Sequence, residues 1–488
     1  MKSLKNILIY ALPALMLCGT SCDFLDKEPE NKVPEKNVDF TKTENMYQPV
    51  SGVYAKLRTG GMHWVIWPLS VVRDDDIWSG RIDDQATLVA MGEYNYDNTF
   101  WGLNEMWNQY YGIIKVANAA LVSLDSYAEH ITQEEDKARY RSYCGEVRFL
   151  RAYAYFRLVQ AFGAVTILRD NAQTDMTRST INAVYRYALE DLKYTEEHTP
   201  KLRPNEMAHF GAVTAFSAQH LAAKIHLNMG RYEEVEKLTD NIINSKKFEL
   251  YPDFYQLFKI PGKVCNESLL ECQCTDFGKG SGDIIGPGEW FSFQGPANNG
   301  NISGWGFIGI YKEFRHWARQ RGEKVRATTS FLEAGTTTPS GDVIRPLQNP
   351  TQTDCWNGKA YTPLNQLTEG RTKYGSNNNV RILRYADVLL MNAEAKVRLG
   401  KNGDAPLNLV RARAEMPAIN GATIEQILDE RRMELVCEWG ERYNDLIRTG
   451  KASSVLGAKG WTADKTYYPI PYEQLSNVPS LKNEPKDE

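Results

Sequence analysis

The chain has 488 residues, 42% hydrophobic and 24% charged, the composition of a globular protein with a sizeable core; a wholly disordered chain and a fibrous one are excluded. Its formal charge is −4 with both signs well mixed, and no long basic block points to nucleic acid as the main ligand. Aromatic residues reach 11%, a surplus that asks for an explanation.

The first residues read as an export signal. Lys2 and Lys5 precede a run from Ile7 to Cys18 that is apolar apart from Tyr10, and Gly19, Thr20 and Ser21 lead to Cys22. The run is too short to span a bilayer, and a small residue directly before a cysteine resembles a bacterial lipobox. Residues 1–21 are therefore predicted to be a lipoprotein signal peptide, with Cys22 acylated as the first mature residue. Several acyl chains on one cysteine make a stable anchor. Cleavage removes two lysines and no acids, so the mature charge becomes −4 − 2 = −6. Residues 22–45, polar and broken by Pro29 and Pro34, are predicted to form a lipidated tether.

From Met46 a helical reading begins. Trp107–Leu124, Gln133–Phe162, Ile181–Glu197, Ala208–Met229 and Tyr232–Ser245 all carry apolar residues at three-to-four spacing. In Glu146–Phe162, Val147, Leu150, Tyr153, Ala154 and Leu158 share one face, with Arg148, Arg151 and Arg157 elsewhere. Ala223, Gly230 and Tyr232, and again Ala393, Gly400, Ala405, Ala412 and Pro417, fall at offsets similar to those of a tetratricopeptide repeat. Small side chains there let paired helices approach, and glycine turns the chain between them.

Residues 251–380 lose that periodicity apart from Ile310–Arg326. They are dense in Gly, Asn, Thr and Pro, and an irregular insertion this long and this aromatic is read as functional. Leu269–Cys274 alternates like a strand, which places Cys272 and Cys274 on one face as buried free thiols. A second helical block runs from Ile382–Leu399 to Gly450, and Tyr468-Pro469-Ile470-Pro471 closes the chain in extended form. The predicted fold is mainly α. One domain spans 46–488, with stacked tetratricopeptide-like helix pairs in blocks 46–250 and 381–450 and the loop-rich insertion 251–380 forming the ligand-binding face.

Four stretches resemble one family, the SusD/RagB-like outer-membrane nutrient-binding lipoproteins of Bacteroidetes. They are CDFLDKEP from Cys22 to Pro29, EVRFLRAYAYFRLVQAFG from Glu146 to Gly163, ILRYADVLLMNAEA from Ile382 to Ala395 with VRAR from Val410 to Arg413, and DERRMELVCEWGERYNDLIRTG from Asp429 to Gly450. Thr166 stands where a proline is usual, and Lys482–Pro485 departs from the usual ending. The resemblance implies a helical scaffold exposed on the outer-membrane surface. It also implies a SusC-like TonB-dependent transporter as partner, to which captured oligosaccharide or polysaccharide is delivered without catalysis. The peptide-handling RagB branch makes peptide capture the alternative.

A pyranose offers C–H faces to aromatic rings and hydroxyls to Asn, Asp, Gln or Arg, so aromatic loops flanked by such groups are the candidates. The loop Ile284–Gly306 fits best, with Trp290, Phe291, Phe293 and Trp305 among glycines and Asn298, Asn299 and Asn301. Next is Trp64–Gly80, which holds Arg73, Asp74, Asp75, Asp76 and Trp78; the family places cargo loops in both regions, which adds weight to Trp78. The predicted ligand residues are Trp78, Trp290, Trp305, Arg73, Asp76, Asn299 and Trp101. Trp64 and Trp67 read equally well as a hydrophobic plug, and Trp107, Tyr110 and Tyr111 as core.

No metal or cofactor is expected, since consecutive acids suit a calcium loop poorly. Glu430, Arg431, Arg432, Glu434 and Arg448 read as a buried ion-pair network. Gly304-x-Gly306-x-x-Gly309 matches a dinucleotide fingerprint by count, but no buried strand precedes it and Trp305 would block a pyrophosphate. With no phosphate loop, zinc-protease helix or nucleophile elbow, the chain is read as a non-enzyme, a surface glycosidase being the less favoured reading.

Overall fold

Packing of helix on helix accounts for most of the chain. The computed structural model describes residues 38–80, 85–280, 290–346, 354–371 and 377–488, so the signal peptide, Cys22 and tether residues 22–37 lie outside the described residues. The first half holds α1 (Tyr47–Lys56), α2 (Ile66–Val71), α3 (Trp101–Ala128), α4 (Glu134–Phe162), α5 (Ile181–His198), α6 (Ala215–Asn228) and α7 (Tyr232–Asn244). From α3 to α7 each helix packs on the next, and α1 lies across α3 and α4.

Local chemistry sets the ends. Thr180 caps α5 by accepting from the Ala183 N–H, and Thr214 with Ser217 forms a reciprocal capping box that starts α6. That box, preceded by Gly211 at φ +84°, is why the helix expected from Ala208 begins at Ala215. Helix α4 is buried on nearly every side from Cys144 to Phe162, not on the single expected face. Its buried arginines are paired inside the fold. Arg151 donates to both oxygens of Asp191 at 2.8 Å, and Arg157 reaches the Ser70 Oγ at 2.9 Å and the Trp439 carbonyl at 3.2 Å.

Glu146 is the exception on α4. It accepts hydrogen bonds from the Tyr54 and Tyr47 hydroxyls at 2.9 and 3.1 Å and has no cationic partner among the described residues. Burial raises its pKa to about 8, and the two hydroxyl donors offset only part of that shift. Folding therefore takes up a proton between an unfolded value of 4.5 and about 8. The contribution is complete below the unfolded pKa and is lost as pH rises through the folded one. Glu146→Gln is expected to flatten this slope and to be the more stable protein at about pH 9. Urea midpoints at about pH 5 and about pH 9 check it; an unchanged slope would clear Glu146 as the cause.

The second half holds α8 (Lys312–Gln320), α9 (Tyr385–Arg398), α10 (Asp404–Arg413), α11 (Ile424–Glu434) and α12 (Glu441–Arg448). The helix expected over Ile310–Arg326 ends at Gln320 because Gly322 turns the chain at φ +85°. Among the described residues the short strands are β1 (Ile77–Trp78), β2 (Ser268–Cys272), β3 (Gly309–Ile310), β4 (Phe331–Glu333), β5 (Cys355–Asn357) and β6 (Val380–Arg384), paired antiparallel as β1–β3, β2–β6 and β4–β5. The expected helix from Ile382 therefore starts only at Tyr385, since the residues before it pair with β2. No disulfide joins the six described cysteines, and all but Cys265 are buried. Ala405 is exposed; Gly403 permits the close helix approach instead, because a Cβ there would lie 2.5 Å from the Ala393 carbonyl.

Helix α9 packs on α6, α7, α10 and α11 and so joins the two halves. Ion pairs fasten it. Arg431 reaches Asp387 on α9 at 2.7 Å and Asp445 on α12 at 2.8 Å, while Arg384 reaches Glu267 at 2.6 Å and Glu434 at 3.1 Å. The β1–β3 pair ties the insertion to the segment after α2, and the Tyr311 N–H extends that tie to the Asp76 carbonyl at 3.0 Å.

Candidate functional site

Three segments far apart in sequence bring aromatic rings to one surface. The turn before α2 supplies Trp64, the entry to α3 supplies Phe100 and Trp101, and the insertion supplies Trp305 and Phe307. Trp64 is the hub. Its ring centroid lies 5.7 Å from Trp101, 5.9 Å from Trp305 and 5.8 Å from Phe307. Trp101 is 48% exposed and the other four are half-buried. The Trp101 and Trp305 planes are inclined to Trp64 by 59° and 87°, so the platform is bent. Exposed apolar surface of this kind marks recognition.

Polar groups flank the rings. Trp101 opens α3, and Asn104, Glu105 and Asn108 follow at the three-to-four spacing of one helix face. Gln474 Nε2 donates to Asn104 Oδ1 at 2.8 Å and to Asn108 Oδ1 at 3.0 Å, which holds both amides in place. Glu105 Oε1 accepts from Gln109 and lies 3.9 Å from His63 Nε2. Rings for C–H faces and oriented amides and carboxylate for hydroxyls thus stand together.

The loop bearing Trp305 is pressed onto its neighbour by backbone bonds. The Trp305 N–H donates to the Ser292 carbonyl at 2.6 Å, and the Gly306 N–H to the Gly295 carbonyl at 2.9 Å. A Cβ on Gly304 would come 2.4 Å from the Ser292 carbonyl, so glycine is required there. Two glycines of the dinucleotide-like spacing therefore place a tryptophan.

Trp290 stands apart from this platform. It is half-buried, with ring centroids 5.5 Å from Trp439, 5.7 Å from Phe293 and 6.4 Å from Trp67. With Asn301, Asn379 and Arg381 it lines a separate cleft of about 850 Å³ including its open mouth.

Four expected ligand residues are held inside the fold. Trp78 is 7% exposed, in β1 opposite Gly309. Arg73 is buried with its guanidinium 4.1 and 3.8 Å from the Tyr443 and Tyr468 ring centroids, and it donates to the Thr466 carbonyl. Asp76 is buried against Arg432, whose Nε donates to its two oxygens at 2.9 and 3.0 Å. Asn299 is buried too, and its Oδ1 accepts from the Arg345 N–H at 3.2 Å, closing the loop on itself. The physical reason is common to these polar groups. A buried charge or amide needs a partner, and each finds it within the chain. Asp75 is likewise paired with Arg432 and Arg442.

Asp76→Asn is accordingly expected to lower stability by roughly 2–4 kcal/mol while ligand affinity stays within about twofold. Urea unfolding and affinity electrophoresis on the same sample check this. Loss of affinity at unchanged stability would return Asp76 to the site.

Sequence reasoning left Trp64 undecided and missed Phe100, Phe307, Asn104, Glu105 and Asn108. For the last three a signal existed: their helical spacing from Trp101.

Comparison with known proteins bears on the whole chain. Residues 308–486 match the family model described as "SusD family", and residues 23–227 the one described as "Starch-binding associating with outer membrane". A SusD-like protein of Bacteroides ovatus is 22% identical over 90% of this chain and 82% of its own. SusD-like protein P38 of Formosa agariphila is 24% identical over 99% of both. Among solved structures, surface glycan-binding protein A from Bacteroides thetaiotaomicron in complex with laminarihexaose has a TM-score of 0.75 at 25% identity, covering 90% of this chain and 98% of that one. A laminarin-binding SusD-like protein has a TM-score of 0.77 at 24% identity, with the same coverage.

Proposed function

Because this chain belongs to the SusD family, we propose that it is a non-catalytic lipoprotein of the outer-membrane surface that holds a glycan on the Trp64–Trp101–Trp305 platform. Captured glycan passes to a SusC-like TonB-dependent transporter, the partner the family implies. The observation that carries the reading is the convergence of three remote segments on one exposed aromatic surface flanked by Asn104, Glu105 and Asn108. Nothing in core packing calls for a tryptophan 48% exposed at the first turn of a helix. Similar structures named for laminarihexaose and laminarin support a β-glucan as the first ligand to try.

Attachment through acylated Cys22 rests on the lipobox-like sequence. No described helix is long and apolar enough to cross a membrane.

Affinity electrophoresis of residues 23–488 against laminarin and a panel of soluble polysaccharides tests the reading, with product analysis alongside. Retardation by one class without released fragments is expected. Released fragments would make the protein a hydrolase, and the absence of retardation by any polysaccharide would replace glycan by peptide as the cargo.

A further inference from the structure

A second groove, of about 970 Å³ including its open mouth, runs beside α1 and shares no lining residue with the platform. One wall is a single helix face. Tyr47, Ser51, Tyr54, Ala55 and Arg58 recur at three-to-four spacing along α1 and the π-helical turn Leu57–Gly61 that continues it. At about 1.5 Å per residue this face is roughly 16 Å long. The other wall is the turn His209–Ala212 with Glu271, Cys272 and Gln273 at the end of β2.

Its lining combines aromatic rings with a cation. The Tyr47 and His209 rings stack with centroids 3.3 Å apart and planes 5° from parallel, and Phe210 beside them is 62% exposed. Glu146 beneath holds the Tyr47 and Tyr54 hydroxyls. Arg58 makes no hydrogen bond or ion pair with any described residue, and its Nε is buried without a partner. Gln273 Nε2 is buried without a partner as well. The nearest carboxylate on the wall, Glu271, is already engaged by the Val264 N–H at 3.0 Å and Asn379 Nδ2 at 2.8 Å. Two buried donors without a partner thus line this one groove.

We propose that this groove is a second glycan site that takes an acidic sugar, with Arg58 holding its carboxylate or sulfate and the exposed Phe210 packing on the ring. The glycan class rests on the function proposed above; the anion requirement rests on Arg58 alone. A guanidinium free of internal partners is suited to a two-oxygen anion, and the rings beside it to a C–H face. An extended peptide is the poorer fit, because the helical wall offers no free main-chain groups for it to pair with.

Calorimetric titration of residues 23–488 with oligogalacturonate, oligomannuronate and sulfated galactan fragments, at low and at moderate salt, tests the site. Binding of at least one is expected. Arg58→Gln should weaken it at least tenfold and Phe210→Ala several-fold, whereas Trp101→Ala and Trp305→Ala should leave it unchanged. The carboxylated and sulfated probes tell the two anions apart. Failure of all three to bind, or equal binding by Arg58→Gln, overturns the proposal. So does an acidic peptide bound in their place through Arg58. Neutral polysaccharide retention, measured on the same variants, reports separately on the platform. Arg58 bonds to no described residue, so its variant should melt like the wild type.

Discussion

Glycan retention is expected to fall by roughly thirtyfold when either Trp101 or Trp305 is replaced by alanine, and beyond detection when both are. Thirtyfold corresponds to about 2 kcal/mol, the loss typical of a ring at the centre of a recognition surface. Trp101 is 48% exposed and Trp305 packs edge-on to Trp64, so neither replacement opens a large core cavity. Thermal unfolding should therefore shift little. Trp64 is the less informative target, since it touches Trp101, Trp305 and Phe307 together and its removal would collapse the platform. Trp290→Ala gives the contrast. It lies in a box with Trp67, Phe293 and Trp439, and its loss should reduce stability more than affinity. Undiminished retention in the Trp101 and Trp305 double variant would move the glycan off this surface.

Glu434→Ala is expected to cost about 3–5 kcal/mol of folding stability, the penalty for removing the one carboxylate that three buried arginines share. Glu434 lies between Arg384 at 3.1 Å and Arg326 at 3.4 Å, and Arg413 also donates to it. All four side chains are at most 4% exposed. Although burial opposes its charge, Arg413, Arg384 and Arg326 together bring its pKa down to about 2. A depressed carboxylate stabilises fully above its unfolded value of 4.5, and that contribution is lost as pH falls towards about 2. The variant should therefore differ most from the wild type at neutral pH and converge on it in acid. Urea denaturation at about pH 7 and about pH 3 measures both arms. A cost under about 1 kcal/mol at neutral pH would mean that the arginines find other acceptors. Such a fall in stability should carry no change in glycan affinity, because the network lies on β6, α10, α11 and the turn of helix that bears Arg326, and not on the platform.

Two buried glutamates respond to acid and base in opposite senses. Glu434 loses its contribution as pH falls, while Glu146 loses its own as pH rises through about 8. The difference is one of partners, since one carboxylate is surrounded by guanidinium groups and the other by phenols.

Helices were the most legible feature of the sequence, because a buried face repeats every three or four residues and leaves that trace in the chain. The expected spans over 133–162, 181–197 and 232–245 agree with α4, α5 and α7 to within a residue at each end. The expected Trp107–Leu124 was too short, since α3 runs past it at both ends; at three other places a non-periodic feature decided. The Thr214–Ser217 capping box moved the start of α6, Gly322 ended α8, and pairing with β2 turned residues 380–384 into a strand.

The candidate site was legible only in part. Trp305 stands out in the sequence because ring and amide lie near each other in its loop, and Trp101 is a weaker candidate there. Trp78, Arg73, Asp76 and Asn299 were named on the same grounds, and the fold holds them inside. Composition near a residue says what it can touch, not whether solvent or an arginine from 356 residues away reaches it first, as Arg432 reaches Asp76. The sequence by itself determined the helical class, the family resemblance and the aromatic surplus, all of which are local or periodic properties. Which tryptophans form a surface was decided by tertiary structure alone, because Trp64, Trp101 and Trp305 meet through contacts between segments that no local pattern encodes.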